Sequence, residues 1–435
     1  IVALGPLRSV GTRRARFPGR TIAGGCARGS TMVSGLCCMR VNDAVVDPEP
    51  QSDEALKTRQ SDAAPSVPDS SATLSRATVV SQETTSSTDV KARRLVILHF
   101  NDVYEIDPRD REPVGGVSRF ITKLQSYAHE DPCVIFSGDF LAPSLLSTST
   151  KGRHMIPFFN RMNIKACCLG NHDFDHGLEP CEQAMAESNF PYLLSNVVDR
   201  KTGTQLAGAR STVIVEHAGI RIGFMGLIEE EWLATLNCVE PSRLDYTDYV
   251  VEAKRLNDKL RQEDKCEVVI ALTHSRVPND ERLARECPFL DLVLGGHDHD
   301  SYRNMVGQVP VIKSGTDFRE LTRVVLTTPA VASARCQVEW EPLYVNSDVV
   351  EDPEAAKLVT EYSRELAKTM DQVIGTIGTP LDFKFSHIRT RETNGSNFVA
   401  DCMRTCLPDI DVALLNSGTL RAVSRGWRPR RCRVG

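Results

Sequence analysis

The sequence contains two stretches that predict its architecture, Gly170-Asn171-His172-Asp173 and Gly295-Gly296-His297-Asp298-His299. Each follows a short apolar run, Cys167-Cys168-Leu169 before the first and Leu292-Val293-Leu294 before the second. Short apolar runs that end in turn-forming residues are typical of buried strands. Both stretches therefore predict a polar loop at the carboxyl end of a buried strand.

The same pattern occurs at three further places, where apolar runs lead into Asn101-Asp102, into Ser137-Gly138-Asp139 and into Thr273-His274. In open α/β sheets, ligands bind at the carboxyl ends of the strands. Carboxylate, amide and imidazole donors suit Mg²⁺, Mn²⁺, Fe, Co²⁺ or Zn²⁺, and about six or seven of them are too many for one ion. The pattern therefore predicts a hydrolytic site that holds two metal ions.

Several of these residues also have a simpler explanation. A carboxylate can place one oxygen on each ion, so Asp139 is a candidate bridging ligand, although aspartate also commonly caps a turn. Asn171 is a candidate neutral ligand, or the first residue of an Asx turn. Asp175 follows His172 by three residues and could orient its ring, as a transition-state-stabilising acid requires. A surface hydrogen bond is the alternative for that pair.

The two imidazoles of His297 and His299 lie two residues apart, which places them on one side of an extended segment. A lone His-x-His is often accidental. Its occurrence at a strand end, together with Asp102 and His274 at other strand ends, makes it a metal-binding candidate. His99, in contrast, lies inside an apolar run and is expected to be a core histidine.

Bulk composition excludes few functions. The chain has 435 residues, of which 41% are hydrophobic and 25% charged, with a net charge of −5. That length allows two domains plus tails. The mildly acidic balance gives no support to a nucleic-acid polymer as partner. No run of 18 apolar residues occurs, so no transmembrane segment is predicted. The sequence does not determine the oligomeric state.

The 14 cysteines have no CxxC pair, and Cys167 and Cys168 should point to opposite faces of a strand as buried thiols. This usage favours a reducing compartment such as the cytoplasm. The chain begins with Ile1, so we expect a processed, partial or mistranslated start, with Met32 as first candidate initiator. Residues 1–31 carry six arginines and no acid, which fits an organellar transit peptide or translated non-coding sequence. The apolar start is too short for a secretory signal.

Five segments are expected along the chain. Residues 1–92 form a disordered or non-native segment, and 41–92 in particular are rich in Ser, Thr, Asp, Pro and Ala. Residues 93–345 form a catalytic domain of two sheets with helices outside. A linker helix begins at Asp352-Pro353 within 346–372, and a second, incomplete domain occupies 373–421. Residues 422–435 are a basic tail without apolar period, which indicates a frameshift or unspliced intron.

Individual elements are expected within these segments. The predicted strands are 95–101, 133–137, 166–169, 267–272, 290–294, 309–313, 320–327, 373–377 and 411–415, with a hairpin formed by 212–215 and 220–224. The predicted helices are 115–130, 152–163, 179–188, 246–263, the linker helix, and 396–406.

The five strand-end motifs, in this order, resemble those of the calcineurin-like metallophosphoesterases, and the chain is most similar to the 5′-nucleotidase family. The resemblance covers about residues 94–421, and the runs 98–102 and 171–177 are its more particular cues. It implies an α/β class, with a four-layer α/β/β/α metallophosphoesterase domain followed by an incomplete α+β 5′-nucleotidase C-terminal domain.

The resemblance also implies an activity. A dinuclear-metal phosphoesterase of this family hydrolyses nucleoside 5′-monophosphates or related nucleotides to nucleoside and phosphate. One divalent ion (Mn, Zn, Co, Mg or Fe) would be held by Asp102, Asp139 and His299, and the other by Asp139, Asn171, His274 and His297. A hydroxide would attack phosphorus in line, while His172, steadied by Asp175, stabilises the pentavalent state or aids the leaving oxygen.

One position departs from the family pattern. The family has Asp-x-His in its first motif, whereas this chain has Asp102-Val103-Tyr104. Tyr104 is therefore either a phenolate ligand, which favours Fe³⁺, or a residue that lines the pocket and leaves one ion less tightly held.

The second domain resembles the substrate-binding domain of the family. By that resemblance Arg389, Asn416 and Arg421 would contact the substrate phosphate, which guanidinium groups bind bidentately. The family's base-clamping aromatic pair would lie further downstream and is absent here. Two alternatives therefore stay open: a phosphodiesterase or nucleotide-sugar hydrolase on the same site, and a catalytically impaired fragment that lacks the base-binding region.

Overall fold

The computed structural model describes residues 92–330, 335–370, 373–406, 411–415, 420 and 431–433. The strands are β1 (Arg94–Phe100), β2 (Cys133–Phe136), β3 (Ile164–Cys168), β4 (Tyr192–Leu193), β5 (Val197–Asp199), β6 (Thr204–Gln205), β7 (Thr212–His217), β8 (Ile220–Ile228), β9 (Leu244–Tyr246), β10 (Val268–His274), β11 (Leu292–Gly296), β12 (Ser301–Val306), β13 (Val309–Ser314), β14 (Glu320–Thr327), β15 (Gln337–Tyr344), β16 (Val373–Thr376) and β17 (Arg431–Arg433). The helices are α1 (Val117–Ser126), α2 (Leu145–Thr150), α3 (Ile156–Phe159), α4 (Leu178–Glu187), α5 (Tyr249–Asp258), α6 (Val277–Glu286), α7 (Pro353–Met370), α8 (Phe385–Thr390) and α9 (Asn394–Cys406).

Two six-stranded sheets form the centre of the fold. The first has the order β15-β14-β1-β2-β3-β4, and the second has the order β12-β13-β11-β10-β8-β7. Strands β1 to β4 are parallel, as are β8, β10, β11 and β13, whereas the antiparallel pairs are β1–β14, β14–β15, β12–β13 and β7–β8. The parallel strands of each sheet therefore end together at one edge, which is where parallel sheets bind ligands.

The alternation of side chains along the strands produces four layers. In β10, Ile270 and Leu272 pack between the two sheets, whereas Val269 and Ala271 pack under α5 and α6. The first sheet behaves likewise, with one face in the inter-sheet core and the other under α1, α3 and α4. Because both faces of each sheet are covered, these strands are apolar throughout. The predicted α/β/β/α architecture is confirmed.

Most predicted elements are present with small shifts in their bounds, but some predictions are wrong. Residues 411–415 form no strand, and Val412 and Leu414 are exposed there, so no strand of the described residues covers them. The predicted helix at 152–163 is a 3₁₀ turn followed by the four-residue α3, and the chain also forms the unpredicted helix α2. The unpredicted strands β12 and β15 lie at the outer edges of the two sheets.

The cysteine prediction is confirmed for the adjacent pair in β3. Cys167 and Cys168 are fully buried free thiols, the first under the helices and the second between the sheets. The predicted disordered segment lies outside the described residues, apart from its last position, residue 92. Of the basic tail, three described residues form β17, which pairs with β16.

The chain divides into two compact units. One holds the described residues up to Ile377 together with Arg431–Arg433, and the other begins at Gly378. In the first unit, the predicted linker helix α7 packs its apolar face on the helix layer through Leu358, Val359, Tyr362 and Leu366. The domain boundaries inferred from the sequence stay predictions. Among the described residues, no helix has both the length and the apolar character needed to cross a bilayer.

Candidate metal centre

The carboxyl ends of the two parallel sheets bring the candidate ligands together. Asp102, Asp139 and Asn171 follow β1, β2 and β3 of the first sheet. His274 ends β10 of the second sheet, and His297 follows β11. Because His274 has the same parity as Ile270 and Leu272, its ring points between the sheets and towards the first one.

Asp102, Asp139 and His274 form the centre of the site. One candidate ligand atom from each lies within 4.8 Å of the others, and all three side chains are buried. The Nε2 atom of His274 is 3.1 Å from Asp139 Oδ2, while its Nδ1 atom is 2.8 Å from the Ser137 carbonyl oxygen. Nε2 has no hydrogen-bond partner among the described residues, although it is buried. Such a nitrogen, aimed at two carboxylates, fits a bound cation.

The charges at this centre also fit a cation. Burial raises the pKa of the Asp102 carboxyl to about 6, and the charge of Asp139 adds to that rise. Burial alone would lower the pKa of His274, but the charges of Asp139 and Asp102 outweigh it and raise that pKa to about 10. Two buried carboxylates thus share one imidazolium as their counter-charge. A divalent metal would supply that charge, so the residues suit the divalent metals that Asp, His and Asn bind.

The hydroxyl of Tyr104 lies among the candidate ligands. Its oxygen is 3.0 Å from Asp102 Oδ1, 3.3 Å from Asp139 Oδ2 and 3.0 Å from His299 Nε2. The loop that carries it is held by Asp317, whose carboxylate accepts the Tyr104 backbone N–H at 3.2 Å. Burial, with the charges of Asp139 and Asp102, raises the pKa of the phenol, so it is protonated here.

His297 and Asn171 form a second pair of candidates. His297 Nδ1 is 3.1 Å from Asn171 Oδ1, and the His297 backbone N–H donates to Asp102 Oδ2 at 2.8 Å. The His297 and His274 rings are 5.2 Å apart. His299 is more exposed, and its Nε2 lies 3.8 Å from Asp102 Oδ1. All seven predicted ligands are therefore neighbours in the fold.

The predicted His172–Asp175 pair is present at the mouth of this centre. His172 Nδ1 and Asp175 Oδ2 are 2.7 Å apart, and both side chains are more than a third exposed. The His172 backbone N–H also donates to Asp139 Oδ1 at 2.8 Å. Burial lowers the pKa of His172, but the hydrogen bond to Asp175 and the charge of Asp139 outweigh it and raise that pKa to about 9. The imidazole is therefore protonated at neutral pH.

The backbone at the site is unusual. Asp102, Asp139 and His297 have φ angles of 51°, 64° and 78°, which is rare for residues other than glycine and is typical of functional sites. Glycine is required nearby because the loops approach closely. A Cβ atom on Gly170 would lie 2.0 Å from Asp139 Oδ1, and one on Gly296 would lie 2.2 Å from the Ser137 carbonyl oxygen.

Two charged residues that support the site had no role in the sequence analysis. Asp173 accepts backbone N–H groups from both neighbouring loops, at 2.8 Å from Gly170 and 2.9 Å from Phe140. Lys313 of β13 is fully buried, and its Nζ donates to the Gly296 carbonyl at 2.7 Å and to Asp298 at 2.8 Å. Lysine is rarely buried without a charged partner, so a lysine inside an apolar strand is a sequence signal that could have indicated this role.

The remaining sequence predictions concern one core histidine and three candidate substrate-binding residues. His99 is a core histidine as expected, buried and hydrogen-bonded to Ser314 and Ser137 at 2.9 Å each. Arg389 lies on α8 of the second unit. Asn416 and Arg421 lie outside the described residues. The substrate-binding roles of these three residues stay predictions.

Known proteins are similar to this chain in sequence. The family profile described as calcineurin-like phosphoesterase matches residues 95–301. The 5′-nucleotidase of Bos taurus is 26% identical over 371 residues, which cover 75% of this chain and 64% of the relative. The 5′-nucleotidase of Homo sapiens is 26% identical, with 72% of this chain and 60% of the relative covered. The chain thus spans less than two thirds of the length of these relatives.

Solved structures agree on the fold. The 5′-nucleotidase precursor from Thermus thermophilus has a TM-score of 0.59 at 22% identity, covering 71% of this chain and 66% of that one. The NAD nucleotidase from Haemophilus influenzae has a TM-score of 0.56 at 18% identity, covering 66% of this chain and 70% of that one. Residues 95–301 therefore match the calcineurin-like phosphoesterase profile, in a chain that is similar to the 5′-nucleotidases in sequence and in fold.

Proposed function

We propose that this chain is a metal-dependent phosphoester hydrolase that converts nucleoside 5′-monophosphates or related nucleotides to nucleoside and phosphate. The observation that carries the proposal is the buried Asp102–Asp139–His274 cluster, in which His274 Nε2 lies 3.1 Å from Asp139 Oδ2, beside the exposed His172–Asp175 pair. The homology to 5′-nucleotidases supports the substrate class.

Two ions fit the arrangement of the ligands better than one. Asp139 Oδ2 is 3.1 Å from His274 Nε2 and 3.3 Å from Tyr104 Oη, so it is close to candidate ligands of both ions, which supports a bridging role. Asp102, Asp139 and His299 would hold one ion, and Asp139, Asn171, His274 and His297 the other. Mn, Zn, Co, Mg and Fe all suit these ligands, since each accepts oxygen and imidazole donors.

In this proposal the cations and the side chains have different chemical roles. When bound, divalent cations lower the pKa of a water molecule and neutralise charge on the phosphoryl oxygens. His172 is held by Asp175 and is protonated at neutral pH, so it would donate a proton or hydrogen bond to the leaving oxygen.

Tyr104 is the candidate ligand that departs from the family pattern, and its hydroxyl lies 3.0 Å from Asp102 Oδ1 and from His299 Nε2, a position that fits both a ligand and a residue lining the pocket. A test is to compare Tyr104→Phe with Tyr104→His. If Tyr104 is a ligand, the Phe variant binds one ion more weakly while the His variant retains it. If the residue only lines the pocket, the Phe variant matches the parent in metal affinity.

A neighbouring activity also has a specific observation in its favour. The Bacillus subtilis relative named as a trifunctional nucleotide phosphoesterase is 24% identical over 75% of this chain. The same centre could therefore cleave phosphodiesters or nucleotide sugars, which differ from monophosphates in the leaving group and not in the metal ligands.

The deciding experiment combines metal analysis with a substrate panel. The purified chain is stripped with a chelator, reloaded with Mn²⁺ or Co²⁺, and assayed with an aryl phosphate, a bis-aryl phosphate, AMP and a nucleotide sugar. We expect metal-dependent turnover that falls by about 10²–10⁴-fold in His172→Ala, with His129→Ala as an exposed control. Equal, metal-independent rates in parent and His172→Ala would overturn the proposal and favour a catalytically impaired chain.

A further inference from the structure

Glu229 lies at the same sheet edge as the metal ligands, although its sequence context gave it no role. It follows β8 directly, and the last residue of that strand, Ile228, is opposite His274 in the neighbouring strand. Its side chain is buried, with a fractional exposure of 2%. A buried carboxylate needs donors or a counter-charge, so its surroundings indicate what it does.

Glu229 contacts donors near the start of α6 and also the ring of His297. Its oxygens accept the backbone N–H of Arg276 at 3.0 Å and the Arg276 Nε–H at 2.8 Å, and Asn279 Nδ2 also donates to it. On the other side, Glu229 Oε1 is 3.8 Å from His297 Nε2. That distance is less than about 1 Å longer than a hydrogen bond.

The two nitrogens of His297 have different neighbours. Nδ1 is 3.1 Å from the oxygen of Asn171, its fellow candidate ligand, whereas Nε2 faces Glu229. An imidazole that binds a metal through Nδ1 carries its proton on Nε2, and metal-binding histidines almost always donate that second N–H to a carboxylate, carbonyl or water. Glu229 is in position to accept it.

We propose that Glu229 is a positioning residue that accepts the Nε2–H of His297 and keeps Nδ1 directed at the ion shared with Asn171. This inference rests on the proposed function, because it assumes that His297 is a ligand. It predicts that Glu229 controls the affinity for that ion and the orientation of the ring, without touching the substrate.

Glu231 provides a matched control. It contacts the same arginine, with 2.8 Å between Arg276 Nη2 and Glu231 Oε1, but it is exposed, and among the described ion pairs it has none with His297. Removing either carboxylate therefore takes one partner from Arg276. Only the removal of Glu229 affects His297.

The first experiment measures metal affinity by titrating metal-free protein with Mn²⁺ or Co²⁺. We expect Glu229→Ala to weaken one of the bound ions by about 10–100-fold, while Glu231→Ala keeps the parent's affinity. In a His297→Ala background, Glu229→Ala should cause no further loss. Equal affinities for parent and Glu229→Ala, or equal additional losses in both backgrounds, would overturn the positioning role.

A second experiment remains informative if Glu229→Ala does not fold. In protein loaded with Zn²⁺ and labelled with ¹⁵N-histidine, the Nε2–H proton of His297 should resonate far downfield, and in the isosteric Glu229→Gln it should move upfield. An unchanged resonance contradicts the proposal. If the parent chain binds no metal at all, the proposed function is wrong. If the parent binds metal but Glu229→Gln leaves the resonance unchanged, only the positioning role of Glu229 is wrong.

Discussion

His274 Nε2 lies 3.1 Å from Asp139 Oδ2, although the histidine ends a strand of one six-stranded sheet and the aspartate follows a strand of the other. The contact therefore joins the two sheets at the edge where their parallel strands end. Two buried carboxylates face one imidazole there, so negative charges outnumber the positive one.

Metal uptake should release a proton from His274. The pKa of about 10 means that the metal-free imidazole is protonated at neutral pH, whereas a ligand needs its lone pair free. Metal affinity should therefore rise with pH up to about that pKa. Calorimetry in buffers of different ionisation enthalpy measures the released protons. We expect about one proton fewer in His274→Ala, and an equal number would contradict the assignment.

Asp175→Asn should shift the pH dependence of turnover. The pKa of His172 is raised to about 9 partly by its hydrogen bond to Asp175, so loss of that carboxylate should lower the pKa towards the ordinary histidine value of 6.5. Activity that needs the protonated ring falls as pH rises through the pKa, so the alkaline limb should move to lower pH. Glu179→Gln, on an exposed residue of α4, is the control. If the alkaline limb of Asp175→Asn does not move, the proton is not transferred by His172.

Lys313→Met should destabilise the first unit. The ammonium is fully buried 2.9 Å from the buried Asp280, so its removal leaves a carboxylate without its counter-charge. The free energy of unfolding should fall by about 3–5 kcal/mol, measured by denaturant titration of metal-free protein. The double variant Lys313→Met with Asp280→Leu should recover much of that loss. A single variant as stable as the parent would show that the pair does not support the fold.

Gly296→Ala should disturb the loop that carries His297. The added methyl group would lie 2.2 Å from the Ser137 carbonyl oxygen and 2.8 Å from His274 Nδ1, so backbone must move. We expect a loss of about 1–3 kcal/mol in stability together with weaker metal binding. Gly378→Ala is the control, because nothing lies within 4 Å of its Cβ position. Similar metal affinity in both variants would show that the loop tolerates the shift.

The sequence predicted the layers of the fold because buried parallel strands are short, apolar and followed by polar turns. Strands such as β2 and β10 have that pattern, and the structure has them close to the predicted bounds. Edge strands have no such pattern. β12 and β15 are half exposed and owe their conformation to pairing with one neighbour, so their own residues did not reveal them.

Site residues could be predicted from the sequence only where their position relative to a strand end places them in the fold. Strand-end residues such as Asp102 and His274 are recognisable because the carboxyl end of a strand is a fixed place in a sheet. Lys313, Asp173 and Glu229 were missed because their roles depend on contacts between separate loops. The contact between Glu229 and His297, for instance, joins strands that are far apart in sequence. The position of Tyr104 among the ligands depends in the same way on folding of its loop against Asp317.

The two-residue alternation of β10 has a consequence for how this chain can change. Substitutions at Ile270 or Leu272 alter packing only locally, since the residues on either side keep their direction. An insertion or deletion of a single residue within the strand would instead turn the His274 ring towards α5 and α6. In this segment the length of the chain is therefore more strictly constrained than its composition.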